Sequence, residues 1–166
     1  MTLPPSPLIF IHGLGGSSHG VKATLLRGLF PDILTPDFPG LLEQRMQKLR
    51  AILGQTRGWT LIGSSFGGLM ATLFTCQHPE QVERLVLLAP ALIWPDFAAN
   101  PPDPVSVPTA IYHGRQDHLI PLEILRSLAE QIFLDLTFHA VDDDHGLHKT
   151  VYAIDWPQLL GREPNR

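Results

Sequence analysis

Apolar residues fall along the chain in two kinds of pattern. Short continuous runs rich in branched side chains, each bounded by Gly, Pro or Asp, occur at residues 8–11, 33–35, 59–62, 85–88, 109–112 and 134–141. Runs this short predict strands. Between them lie helical periods. Leu42, Met46, Leu49 and Leu53 recur at i, i+4, i+7 and i+11 and stop at Gly54, and Leu122, Leu125, Ala129 and Ile132 recur at i, i+3, i+7 and i+10 just after Pro121. Those spacings predict amphipathic helices. Several strand runs are continuously apolar instead of alternating, so helices must cover both faces of their sheet. The pattern predicts an α/β fold of about six mostly parallel strands with helices on both faces.

Length and composition narrow this picture. At roughly 150 residues per domain, the 166 residues predict one domain over 1–166. Lys and Arg number 12 against 16 Asp and Glu, a formal net charge of −4. No basic field is available to a phosphate backbone, so nucleic acid is not an expected partner. Apolar residues at 44% and charged residues at 17% are the balance of a packed core, not of a disordered chain. Cys76 is the only cysteine; it cannot form an internal disulfide and suits a reducing compartment. The opening MTLPPSPLIFIHG has no basic segment, and its apolar run is too short for a signal peptide or a membrane span. A cytoplasmic protein is the expectation.

In parallel sheets, ligands and reactive groups gather in the loops beyond the carboxyl ends of the strands. Here those loops are His12-Gly13-Leu14-Gly15-Gly16, Asp37-Phe38-Pro39-Gly40, Gly63-Ser64-Ser65-Phe66-Gly67-Gly68, His113-Gly114-Arg115-Gln116-Asp117 and Asp142-Asp143-Asp144-His145. Gly63 to Gly67 fit G-x-S-x-G, in which a strand turns abruptly into a helix and holds the central serine at a strained angle, so small residues are needed on both sides. The string is short, and context decides its weight. Trp59-Thr60-Leu61-Ile62 leads in as a strand and the apolar stretch from Leu69 leads out as a helix.

With these motifs the chain resembles the α/β-hydrolase superfamily, specifically its small lidless esterase-like members, from about Leu8 to the C-terminal helix. The resemblance implies that His12 to Gly16 form the oxyanion loop after the first strand, that Asp37 to Gly40 are its D-x-P-G turn, and that Gly114 to Pro121 are its G-x-x-D-x-x-x-P acid loop. It also implies the chain order serine, carboxylate, histidine, which Ser65, Asp117 and His145 follow. A serine hydroxyl needs an imidazole to take its proton, and the imidazole needs a carboxylate to hold its tautomer. The oxyanion donors would then be the backbone N–H groups of Leu14 and Phe66. Larger members add a cap domain after the strand that follows the nucleophile helix; residues 89–108 are too few for one. The expected function is hydrolysis of a small-molecule carboxylic ester or thioester through an acyl-enzyme, with no cofactor and no metal.

Other readings of the same residues stay open at this stage. Asp96 and Asp103 are substitutes for Asp117. Asp142, Asp143, Asp144, His145 and His148 form an alternative metal cluster for metal-assisted hydrolysis, or the aspartates begin a helix, where carboxylates are favourable. His145 directly follows the last strand, whereas His148 falls in the helical pattern Leu147, Val151, Ile154, which favours His145 as the base. His12, His19, His78, His113, His118 and His139 are expected to be structural or superficial. Cys76 reads as a small buried hydrophobe. Trp94 and Phe97 either line an acyl pocket, as substrate-binding residues, or anchor the Pro-rich 95–108 stretch. A non-catalytic, partner-binding domain on the same fold is the alternative in another functional class.

Overall fold

Five of the six expected strands form in the computed structural model, which describes residues 3–163; the ends of the expected 1–166 domain lie outside the described residues. They are β1 (Leu8–Ile11), β2 (Trp59–Ser64), β3 (Val82–Leu88), β4 (Thr109–Gly114) and β5 (Leu136–Val141). They make a sheet of order β1-β2-β3-β4-β5 in which every pair is parallel. The sixth, residues 33–35, does not become a strand. Leu34 makes a single parallel bridge to Ile9, with its N–H on Leu8 O (2.9 Å) and its carbonyl accepting from Phe10 N–H (2.8 Å). Pro31 and Pro36 stand on either side, and a proline has no N–H for a ladder. That bridge still fixes the topology: from β1 the chain crosses to the outer edge at Leu34 and returns to β2 on the other side, so the strand order reverses around β1.

Among the described residues seven α-helices surround the sheet: α1 (Val21–Leu29), α2 (Leu42–Leu53), α3 (Phe66–Gln77), α4 (Pro95–Ala99), α5 (Leu122–Ile132), α6 (Thr150–Ala153) and α7 (Trp156–Leu160). Successive strand residues point to opposite faces, and the core divides accordingly. Ile9, Ile11, Leu61, Leu85, Leu87 and Ile111 face α2, α3 and α5 in one cluster. Phe10, Ile62, Val86 and Leu88 face α1, α6 and α7 in the other. This two-sided burial is the reason the strand runs are continuously apolar. The helix α3 is buried along most of its length; side chains such as Leu69, Met70 and Phe74 each contribute roughly 1.5–3 kcal/mol by leaving water.

Residues 89–108 hold only the short α4 and an extended return in which Val105 bridges to Phe133. No cap domain stands between β3 and β4. Among the described residues no helix is long and apolar enough to cross a membrane. The helical pattern expected to run through His148 is shorter than the sequence implies. Leu147 has a left-handed φ of 51°, so residues 145–149 turn irregularly and α6 begins only at Thr150.

Candidate active site

The turn from β2 into α3 is sharp because two backbones nearly touch. A Cβ on Gly67 would run into the carbonyls of Ile11 and His12, and one on Gly63 would meet the backbone of Gly67 and Gly68. Only glycine fits at both positions. Between them Ser65 takes φ 54° and ψ −115°, a conformation that costs a non-glycine residue about 1–3 kcal/mol and persists where the surroundings over-determine it. The surroundings do so here: Ser65 N–H donates to Leu88 O (2.9 Å), and its carbonyl accepts from Gly68 N–H (2.9 Å) and Ala91 N–H (2.9 Å). The hydroxyl is lifted above the carboxyl edge of the sheet.

Two further loops reach that hydroxyl. Asp117 follows β4, and its side chain is fully buried. Its Oδ1 accepts from Leu119 N–H (2.9 Å) and Ile120 N–H (2.8 Å), which leaves Oδ2 to His145 Nδ1 at 2.7 Å. A carboxylate only accepts, so Nδ1 carries the proton and Nε2 presents a lone pair. Ser65 Oγ lies 2.9 Å from that Nε2 and donates to it. His145 therefore meets both partners at once, with about a quarter of its side chain open to solvent. Asp96 and Asp103, the considered substitutes for Asp117, are in the segment after β3 and take no part in this chain of bonds.

The loop after β1 abuts the elbow. A Cβ on Gly13 would lie 3.3 Å from Ser65 Cβ and 3.8 Å from Phe66 N. The Phe66 N–H opens α3, where no intrahelical acceptor exists. His12 holds this loop to the next one: Phe38 N–H donates to its Nε2 (2.9 Å), so Nδ1 bears the proton and donates to Gly13 O (2.7 Å). The expected structural role of His12 is thus a tether between the Leu14 loop and the Asp37 to Gly40 turn.

Two clefts open beside residues that pack on Phe66, Trp94 in one and Arg45 in the other. Trp94, 38% exposed, lines one of about 400 Å³ with Ser65, Ile93, Leu119 and His145, and meets Phe66 edge to face at 5.1 Å. Phe97, the other candidate substrate-binding residue, is 5% exposed and packed in the core, so it anchors the segment and lines neither of these two clefts. Trp94 and Phe97 are three residues apart, and of the two only Trp94 stays exposed. The second cleft, about 350 Å³, is bordered by Leu14, Phe38, Gly40 and Arg45.

Of the aspartates before His145, Asp142 accepts from Gln116 Nε2 (2.8 Å), and the other two serve chiefly the backbone. Asp143 Oδ2 accepts from Lys149 N–H (3.1 Å), Thr150 N–H (2.9 Å) and Thr150 Oγ1 (2.9 Å), and Asp144 Oδ1 accepts from Gly146 N–H (3.0 Å). Among the described residues no three His, Cys, Asp or Glu side chains are arranged to hold a metal, so the alternative cluster at 142–148 does not converge. His148 borders a separate cavity of about 240 Å³ beside His12 and Lys22. Cys76 is half-buried against the core, and burial pushes its thiol up to about 11, the opposite of an activated nucleophile.

Burial alone would raise the Asp143 carboxyl, but hydrogen bonds from Thr150, Asp144 and Lys149 outweigh it and hold the pKa below the usual carboxylate range. A carboxyl with a depressed folded pKa stabilises fully above its unfolded value, near 3.9, and that contribution is lost as pH falls through the folded value. Asp143→Ala should therefore lose about 2 kcal/mol of stability at pH 7. In urea unfolding, the gap from the native protein should narrow at pH 3; an equal gap at both pH values would assign the effect to packing instead.

A sequence profile described as the alpha/beta hydrolase fold matches residues 41–105, from the start of α2 through the elbow to the end of the segment after α4. A solved structure from Xanthomonas campestris pv. campestris, described as a hydrolase of the alpha/beta superfamily, superimposes with a TM-score of 0.73 at 26% identity, covering 89% of this chain and 92% of that one. The chain belongs to the α/β-hydrolase superfamily. The monoacylglycerol lipase of Paleococcus ferrophilus shares the α/β-hydrolase fold at a TM-score of 0.72 and 16% identity, over 95% of this chain and 96% of its own. The biotin biosynthesis bifunctional protein BioHC of Teredinibacter turnerae is 32% identical over 99 residues, which are 51% of this chain and 17% of that protein.

Two buried polar residues of this α/β-hydrolase chain were not singled out by its motifs. His113 is wholly buried behind Asp117: its Nε2 lies 2.8 Å from Ile120 O, to which it donates, and 3.4 Å from Asp117 Oδ2. Burial lowers its pKa against the opposing pull of Ile120 O and Asp117, so it backs the carboxylate as a neutral ring. The other is Arg45, and a signal for it existed. It lies at i+3 from Leu42 and i+4 before Leu49, a charge inside the apolar stripe of α2.

Proposed function

We propose that this chain is a serine hydrolase that cleaves carboxylic esters or thioesters through an acyl-enzyme, as one domain. The observation that carries this reading is the unbroken hydrogen-bonded chain Ser65–His145–Asp117, assembled from three loops at one edge of the sheet. His145 Nε2 takes the Ser65 proton while Oγ bonds to the substrate carbonyl carbon, and the negative oxygen so formed is held by the N–H groups of Leu14 and Phe66. The bond to the leaving oxygen or sulfur then breaks as His145 returns the proton to it. Water repeats the sequence: His145 takes its proton, the hydroxyl adds to the acyl carbon, and the acid departs as Ser65 regains its hydrogen. Asp117 keeps the imidazole in the required tautomer and balances its transient charge.

A fluorophosphonate probe with peptide mapping tests this directly. Stoichiometric labelling at Ser65 is expected; no labelling, or labelling elsewhere, overturns the assignment. Neither alternative class is favoured by an observation of its own.

With no cap between β3 and β4, enclosure supplies little binding energy. Turnover should favour short acyl groups on soluble esters, with discrimination of roughly 1–3 kcal/mol per methylene at most, and no jump in rate at an oil–water interface. A rate that climbs steeply beyond acyl chains of about ten carbons, in a p-nitrophenyl ester series, would instead make Trp94 part of a mobile flap.

A further inference from the structure

Arg45 is 5% exposed, yet among the described residues it forms no ion pair. Its neighbours on α2 differ: Arg50 pairs with Glu43 at 2.8 Å, and Lys48 is exposed and donates to the carbonyl of Asp37. Arg45 Nε donates to Gly40 O (2.9 Å), its guanidinium carbon stands 5.3 Å from the centroid of the Phe66 ring, and its Nη1 has no partner. Burial pulls the guanidinium below its ordinary pKa. A buried cation without an anion is unfavourable, and one held only by a carbonyl and an aromatic face retains guanidinium N–H groups able to pair with a carboxylate.

The setting gives that carboxylate a place. Arg45 borders the cavity of about 350 Å³ that Leu14 also lines. Asp37 stands at its rim with its two oxygens taken by Ser18 N–H (2.6 Å) and Ser18 Oγ (3.0 Å), so Arg45, Lys48 and Asp37 together leave one net positive charge. The leaving group must accept its proton from His145, and His145 lines the other cleft, with Trp94. The acyl portion is thereby directed to the Arg45 side.

Resting on the ester-hydrolysis reading above, we propose that Arg45 binds a carboxylate at the far end of the substrate's acyl chain, so that the preferred substrates are monoesters of short dicarboxylic acids with an apolar alcohol. The apolar cleft that Ser65 lines then takes the alcohol, and the charged one that Arg45 lines takes the far end of the acyl chain.

The test compares benzyl hydrogen succinate, glutarate and adipate with benzyl pentanoate, reading benzyl alcohol by chromatography. At least one of the three diacid monoesters should exceed the neutral ester in kcat/KM by about 10- to 100-fold, the range of a charge-assisted hydrogen bond. Arg45→Met should collapse that ratio toward one, and Arg45→Lys should keep part of it. Should Arg45→Met not fold, inhibition of the native enzyme decides: free glutarate should compete with substrate and glutaramide should not. A native ratio at or below one for all three diacids, an unchanged ratio in Arg45→Met, or equal inhibition by glutarate and glutaramide overturns the inference. Fluorophosphonate labelling run in parallel separates it from its premise. Labelling at Ser65 without a preference for the anion sinks only the role of Arg45, whereas absent labelling sinks both.

Discussion

Ser65→Ala is expected to fold with native spectroscopic signatures, to lose fluorophosphonate labelling, and to lose about 10⁶ in kcat on any ester the native protein turns over. The size follows from the reaction sequence. On the proposed reading no acyl-enzyme forms without Oγ, and only the proposed oxyanion donors and the clefts remain, which together would support about 10³ to 10⁴ over uncatalysed hydrolysis. Removing the hydroxyl deletes its one bond to His145 Nε2 and leaves intact the backbone bonds that hold residue 65 in its turn. Active-site titration alongside circular dichroism separates the outcomes. A labelled, active Ser65→Ala protein would require a different nucleophile.

Removal of His145 should cost nearly as much, and removal of His148 little. His145→Ala leaves Ser65 without a base and Asp117 without its partner, so kcat should fall by about 10⁶ and the rising limb of the pH–rate profile should vanish. His148 is three residues on, but the left-handed turn at Leu147 carries it to the cavity beside His12 and Lys22, apart from the cleft that holds Ser65 and Trp94. His148→Ala should keep the profile. A profile abolished by His148→Ala and kept by His145→Ala would exchange the two assignments.

Much of this geometry is legible in the sequence wherever local physics decides it. The period in 42–53 and 122–132 fixes two helices, and the glycines around Ser65 announce a turn that no larger residue could make. The losses occur where a tertiary neighbour decides. Residues 33–35 have strand composition, but two flanking prolines leave room for one bridge. Trp94 and Phe97 are both aromatic residues in one Pro-rich segment, and only the packing of α4 sends one outward and the other into the core. The left-handed Leu147 has no glycine or asparagine to announce it, so the pattern through His148 reads as longer than the helix it becomes. Arg45 was legible as a charge in an apolar stripe; its stacking on Phe66, a long-range contact, was not.

β5 is the sheet's edge strand, and five of its six residues are only half-buried while the sixth is exposed, unlike the strands at its side. It is also the strand that delivers His145. Edge elements with few buried contacts open at lower free energy than the core, so the protein can fray at this margin while β1 to β4 stay folded. Heat or denaturant should then silence the chemistry before the cooperative transition. On the proposed reading the lifetime of activity should then depend on one strand, and reinforcing the contacts of β5 should prolong it more than any improvement to the already filled centre.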